Sequence, residues 1–152
     1  MTKVLLSIKP TFVNRIFDGK KKYEYRKTIF CHQNISTVIV YASAPIQRVI
    51  GEFTIEKIIT DSVSNIWKQT YRSSGISKDF YLSYFKGKKT AYAIKIKKTK
   101  KYAKMRTLAS YHIKHAPQSF VYITEQKQVK TVKRGKSKKI KPRFDSKTFH
   151  TF

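Results

Sequence analysis

The chain has 152 residues, of which 40% are hydrophobic and 14% aromatic. That is enough apolar material for one compact domain, which excludes wholesale disorder. Thirty-four Lys and Arg against eight Asp and Glu give a formal charge of +26, and a surface so one-sided repels itself unless it meets a polyanion. A merely lysine-rich composition bias would bring acids along with the lysines, and here acids are scarce. The one cysteine, Cys31, excludes an internal disulfide and a cysteine-based metal knuckle. No apolar run is long enough to span a membrane. The start, with Lys3, Lys9 and Arg15, lacks the apolar stretch of a signal peptide, so a cytoplasmic protein is expected.

In chain order, residues 2–8 ("TKVLLSI") read as a buried strand. "KPTFVNRIFDG" reads as a short helix with Pro10 in its first turn, Phe12, Val13, Ile16 and Phe17 on one face, and Gly19 just beyond its end. "KKYEYRK" alternates, Tyr23 and Tyr25 to one side, Lys22, Glu24 and Arg26 to the other. Residues 36–42 read as a strand buried on both faces. Residues 48–58 alternate again, with Gly51 as the mark of a bulge or a close backbone approach. One helix follows with Val63, Ile66, Trp67 and Tyr71 in a stripe. "SSG" (73–75) breaks the chain, and a second helix is capped by Ser77, carries Phe80, Tyr81, Tyr84 and Phe85, and stops at Gly87. Residues 89–102 form a long strand with Tyr92, Ile94 and Ile96 inward and lysines outward. Residues 107–113 make a helical turn or loop, and 119–124 a closing strand. The predicted order is β-α-β-β-β-α-α-β-(α)-β, an α+β fold built as a small mixed or closed barrel.

Periodicity ends after Glu125. Residues 126–152 hold ten cations, among them Lys133, Arg134, Lys136, Lys138, Lys139, Lys141 and Arg143, against Asp145 alone, a net of about +9. The chain therefore reads as a domain over 1–125 followed by a basic tail over 126–152. The body is itself basic. A tail of this kind holds polyanions without sequence choice.

One stretch carries chemistry. In "GKKKYEYRK" (19–27), Glu24 stands among five cations in the spacing Gly19-x-Lys21-x-x-Glu24-x-Arg26. Glu24 and Arg26 are neighbours on one strand face. A carboxylate beside a guanidinium can read a nucleobase edge, the acid accepting from an amino group and the arginine donating to a carbonyl or phosphate oxygen. The same spacing also describes an ordinary salt bridge on a solvated face. Lys9, Lys20 and Lys21 are candidate phosphate contacts, and Ser43, in "YASAP", is a candidate cleft residue. His112 and His115 lie three apart without a third ligand nearby, so neither a metal nor a cofactor is expected.

These residues resemble the ASCH domain, a branch of the PUA-like superfamily. The resemblance covers roughly residues 3–124. The family signature G-x-K-x-x-E-x-R after the first helix is matched by Gly19, Lys21, Glu24 and Arg26, with supporting stretches "LLSIKPTFVNRIF", "VIVYASAP", "VIGEFTI", "SGIS" and "APQSFVYI". The resemblance implies a five- or six-stranded PUA-like β-barrel with helices in the connections, and a cleft beside the signature strand that takes RNA or a nucleotide. It places Ser119 and Phe120 at the cleft border. Some small relatives are amidohydrolases acting on acetylated cytidine. They have a threonine where this chain has Glu24, and a later glutamate for which Glu52 or Glu56 are the candidate stand-ins, so that activity is not expected here.

Three functions remain. The first is RNA binding, with DNA as a second choice of nucleic acid, a base or nucleotide held near Glu24 and Arg26, and lysines on the phosphates. The second is an RNA-cleaving or nucleoside-processing hydrolase in which Lys21 and Glu24 are catalytic. The third is a basic structural accessory protein of a nucleoprotein complex. Nothing in the sequence speaks to oligomeric state.

Overall fold

A computed structural model describes residues 2–124 apart from residue 33. The tail reading, including the cations from Lys133 to Arg143, lies outside the described residues. The elements are β1 (Thr2–Ile8), α1 (Pro10–Phe17), β2 (Tyr23–Arg26), β3 (Thr37–Ala42), β4 (Arg48–Ser62), α2 (Val63–Thr70), α3 (Lys78–Tyr84), β5 (Thr90–Arg106) and β6 (Phe120–Thr124), with 3-10 turns at Tyr71–Ser73 and Leu108–Tyr111. The six strands form one sheet in the order β2-β5-β4-β3-β1-β6. Only β1 and β3 are parallel; every other neighbouring pair is antiparallel.

Strands β1 and β3 are apolar on both faces because both faces are covered. Val4, Leu6, Val38 and Val40 pack with Val13 and Ile16 of α1. Leu5, Ile39 and Tyr41 pack on the opposite side with Val49, Tyr102 and Leu108. A third cluster joins Ile66 of α2, Tyr81 of α3 and Phe85 just beyond it to Tyr25, Ala91 and Ala93. Each fully buried aliphatic or aromatic side chain in these clusters contributes roughly 1.5–3 kcal/mol of transfer free energy.

Local signals fix the helix ends. Pro10 opens α1. Ser62 accepts a hydrogen bond from the Asn65 backbone N–H at the start of α2 (3.1 Å), and Ser77 accepts one from Phe80 N–H at the start of α3 (3.1 Å). Gly51 lies where β4 bulges against β5. A Cβ there would run into the Lys100 carbonyl oxygen and the Phe17 ring, so the glycine permits a close approach.

Three expectations are corrected. The sheet is open, not a closed barrel: among the described residues β2 pairs only with β5 and β6 only with β1. The seam between these edges is bridged by side chains in place of a ladder. Arg26 donates from Nη1 to the Ser7 carbonyl (3.3 Å) and from Nη2 to the Ser119 carbonyl (2.7 Å), and Tyr122 Oη accepts from His32 N–H (3.0 Å). Along β5, Tyr92 is only half-buried while Ala91 and Ala93 are fully buried, because small residues leave room for the Tyr25 and Tyr81 rings. In α2 the buried positions are Ile66 and Thr70, and Tyr71 is 47% exposed.

Candidate functional site

The signature stretch starts where α1 ends. Gly19 adopts a left-handed conformation (φ 78°), and the Lys20 and Lys21 N–H groups both donate to the Arg15 carbonyl (3.0 Å each). The chain then meets the loop after α2, where Lys22 N–H donates to the Ser73 carbonyl (2.9 Å). This pairing drives Lys21 inward, to 1% exposure. Its ammonium donates to the Ser74 carbonyl (3.0 Å) and lies 4.7 Å from the Tyr25 ring centre and 5.4 Å from that of Phe12. Gly75 (φ 65°) lies flat on the Lys21 stem, and a Cβ there would collide with Lys21 Cα, Cβ and Cγ. Arg15 locks the same loop from outside by donating to the Gly75 carbonyl (2.7 Å).

Burial pushes the Lys21 ammonium down from the ordinary 10.5 to about 8; the Glu24 carboxylate pulls it back up, and the Arg15 guanidinium pushes it further down. Glu24 sits opposite Ile94 in the β2–β5 register. It is 6% exposed, and its Oε2 is buried with no hydrogen-bond partner among the described residues. A buried carboxylate oxygen left unpaired carries a desolvation cost of about 1–3 kcal/mol or more. The next residue, Tyr25, donates its hydroxyl to Thr70 Oγ1 (2.8 Å), which itself donates to the Ile66 carbonyl (2.6 Å). Burial raises the Tyr25 phenol well above its ordinary range, so it stays a neutral floor beneath the Lys21 cation.

Above these groups is a cleft of about 290 Å³, lined by Ser7, Ile8, Lys9, Phe12, Lys21, Glu24, Tyr25, Arg26, Ile76, Phe80, Ser83 and Tyr84. Its rim pairs cations with rings. Lys9 Nζ lies 4.9 Å from the Phe80 centroid and Lys27 Nζ 4.7 Å from that of Tyr84. Phe12 meets Phe80 edge-on at 4.9 Å.

Of the residues singled out from sequence, Lys9, Lys21, Glu24 and Arg26 come together here. Ser119 abuts the cleft through the carbonyl that holds Arg26, and its hydroxyl hydrogen-bonds with that of Thr28 (3.0 Å). Lys20 is exposed and outside the lining. Ser43 is outside it as well, in the turn after β3, where its backbone N–H donates to the Ile8 carbonyl (2.9 Å). The surface ion pair is not what forms: Glu24 is buried, and Arg26 is committed to two carbonyls. Glu52 accepts from Tyr102 (2.8 Å) and Glu56 pairs with Lys95 (2.8 Å), both away from the cleft. His112 and His115 are exposed. Sequence reasoning missed Ser74, Gly75 and Arg15. "SSG" read as a chain break, and its glycine was the available sign of a tight approach.

No helix among the described residues is long and apolar enough to cross a membrane. Residues 6–100 match the ASCH domain family. An "ASCH domain-containing ribonuclease" of Zymomonas mobilis is 31% identical over 91 residues, 60% of this chain and 62% of that protein. Two proteins of Ureaplasma parvum serovar 3 match 79% of this chain. One is named "ATP synthase subunit alpha" (34% identical, 15% of its length), the other "Large ribosomal subunit protein uL22" (31% identical, 39% of its length). The chain thus spans under two thirds of each of these relatives. Among solved structures, ASCH from Zymomonas mobilis superposes with a TM-score of 0.74 at 25% identity, covering 81% of this chain and 88% of that one. With the full signature at Gly19, Lys21, Glu24 and Arg26, a family match over most of the described residues and the same fold, this chain belongs to the ASCH domain family.

Proposed function

We propose that this domain binds RNA by taking one base or nucleotide into the cleft between β1, β2 and α3. The observation that carries this reading is the buried Glu24 carboxylate with an oxygen that nothing in the described protein satisfies. An ionised carboxylate only accepts hydrogen bonds, and a nucleobase supplies the missing N–H from an exocyclic amino or ring imino group. The cleft volume, about 290 Å³, lies just below the ~300–1,000 Å³ typical of ligand sites, which supports a small occupant such as a single base. Phe12, Phe80 and Tyr84 line the cleft and would stack on a base, and Lys9, also in the lining, would meet a phosphate. RNA comes first over DNA because of the name of the Zymomonas relative. The two Ureaplasma relatives carry unlike names, and this chain covers only 15% and 39% of their lengths, so neither name is carried to this chain.

A second reading, RNA cleavage, is favoured by that ribonuclease relative and by Lys21, whose pKa near 8 lets a neutral amine form close to physiological pH. Lys21 would then take a proton from the attacking hydroxyl, with Glu24 as its partner. The test is equilibrium binding of short single-stranded RNAs of each base, with the same samples followed for chain scission. Base-dependent affinity that Glu24→Gln abolishes supports the first reading. Scission that rises through pH 8 and vanishes in Lys21→Ala supports the second. Affinity equal for all bases and unchanged in Glu24→Gln sinks the cleft as a reader.

A further inference from the structure

Strand β5 continues well past the cleft. Its pairing with β2 ends at Tyr23↔Lys95, with one further bond from Ile96 N–H to the Lys22 carbonyl (2.9 Å). From Lys97 to Arg106 it pairs only with β4, so its other edge has no strand partner among the described residues. This stretch, "KKTKKYAKMR", presents Lys97, Lys98, Lys100, Lys101 and Lys104, all exposed. The nearby acids are engaged elsewhere. Glu52, which faces Lys100 in the register, takes the Tyr102 hydroxyl and lies 3.6 Å from Lys3. Lys97 helps to hold the Glu56 carboxyl below its usual range, but the ion pair of Glu56 is with Lys95. Among the described residues none of the five lysines makes an ion pair.

Charged residues on a strand edge commonly block edge-to-edge aggregation. One or two suffice for that. Five lysines and Arg106 on a ten-residue segment, with adjacent like charges, add a repulsion that the fold alone does not need. At ~3.3 Å per residue the segment runs about 30 Å. It begins about 10 Å along β5 from Ile94, the register partner of Glu24.

We propose that the exposed β5 edge from Lys97 to Lys104, with lysines flanking it on both faces of the sheet (Lys98 and Lys100 on the Tyr102 side, Lys101 on the α1 side), is a second binding surface, a track for the phosphate backbone of the RNA strand whose base occupies the cleft. This rests on the RNA-binding reading and extends it: the cleft would select, and the ribbon would hold the backbone and supply most of the salt-dependent affinity of the folded body.

The experiment compares the full chain with a variant in which Lys97, Lys98, Lys100, Lys101 and Lys104 are all changed to Gln, and with one in which all five are changed to Arg. Single-stranded RNA binding is measured by fluorescence anisotropy across a salt series, and folding by thermal melting. Each phosphate contact on a single strand adds about −0.7 to the slope of log K against log salt. The glutamine variant is expected to melt no lower than wild type, to lose two or more units of slope, and to bind at least about tenfold more weakly near 150 mM salt. The arginine variant should keep both. A folded glutamine variant with wild-type slope and affinity overturns the proposal, as does an arginine variant that loses as much as the glutamine one. Wild-type protein that binds no RNA overturns the RNA-binding reading itself and reduces the ribbon to edge protection, a result distinct from a silent glutamine variant.

Discussion

Lys21 and Glu24 are buried side by side at the floor of one cleft, yet neither completes the other. The Lys21 ammonium donates to the Ser74 carbonyl (3.0 Å), and Glu24 Oε2 has no hydrogen bond among the described residues. The carboxylate is close enough to pull the lysine's pKa upward against burial. A fold that needed only an internal ion pair would close this contact. Leaving it open costs stability and keeps an acceptor available to a ligand.

The Lys21 position carries a pH signature. Its folded pKa, about 8, lies below the ordinary 10.5, so between these values the unfolded chain binds more protons than the folded one. Stability from this group therefore rises with pH from about 8 to about 10.5, and the full penalty of burying the charge is present below pH 8. The phenols of Tyr25 and Tyr81, both raised by burial, oppose this above pH 10. The stability of Lys21→Met relative to wild type isolates the lysine. Chemical denaturation at pH 7, 8, 9 and 10 should show Lys21→Met losing ground to wild type steadily above pH 8. A difference that stays flat across that window contradicts the burial argument.

Gly75 should not tolerate a side chain. Its positive φ is strained for any L-residue, and a Cβ would strike the Lys21 stem. Gly75→Ala is expected to destabilise the domain by about 2 kcal/mol or more, read as a lower denaturation midpoint. Whatever folded fraction remains should bind RNA more weakly, because the loop that seats Lys21 is displaced. Wild-type stability in Gly75→Ala would show that the loop yields easily.

Arg26 ties β2 to β1 and to the residue just before β6, at a seam where no ladder forms between β2 and β6 among the described residues. Arg26→Ala removes two charge-assisted bonds to carbonyls and is expected to cost roughly 2 kcal/mol. Hydrogen exchange of the β6 amides should speed up before that of β3. Arg26→Lys restores the charge but cannot present the two-pronged fork, so it should rescue little. Rescue by lysine would mean that charge alone matters at the seam.

The element order was legible in the sequence because each segment carries its own period or cap: the Pro10 start, the Ser77 cap, the Gly19 and Gly87 stops, and the β3 run that is buried throughout. The signature spacing also brought Lys21, Glu24 and Arg26 to one cleft. Closure was not legible. Whether a seam is made by backbone pairing or by one arginine depends on where Ser7 and Ser119, 112 residues apart in sequence number, arrive in space. The Ser74–Gly75 loop was opaque for the same reason: its partner, Lys21, lies over fifty positions upstream. Ser43 misled because a turn of small residues looks alike whether it lines a cleft or only hydrogen-bonds to Ile8.

The cleft rim gives a stacking prediction. Tyr84 is half-buried beside Phe85 and carries Lys27 over its ring. Tyr84→Ala should weaken binding to single-stranded RNA by about 1–3 kcal/mol, the worth of one base–ring contact, with little change in salt slope. An effect confined to the slope would place Tyr84 in the electrostatics and not in stacking.

The most direct test is the affinity of wild type and Glu24→Gln for four homopolymeric RNA oligonucleotides at one fixed salt concentration. If Glu24 reads a base edge, wild type will rank the four bases and Glu24→Gln will flatten the ranking while keeping bulk affinity. If wild type does not discriminate, or if Glu24→Gln keeps the same ranking, the unpaired carboxylate is not a reader and the account of the cleft is wrong.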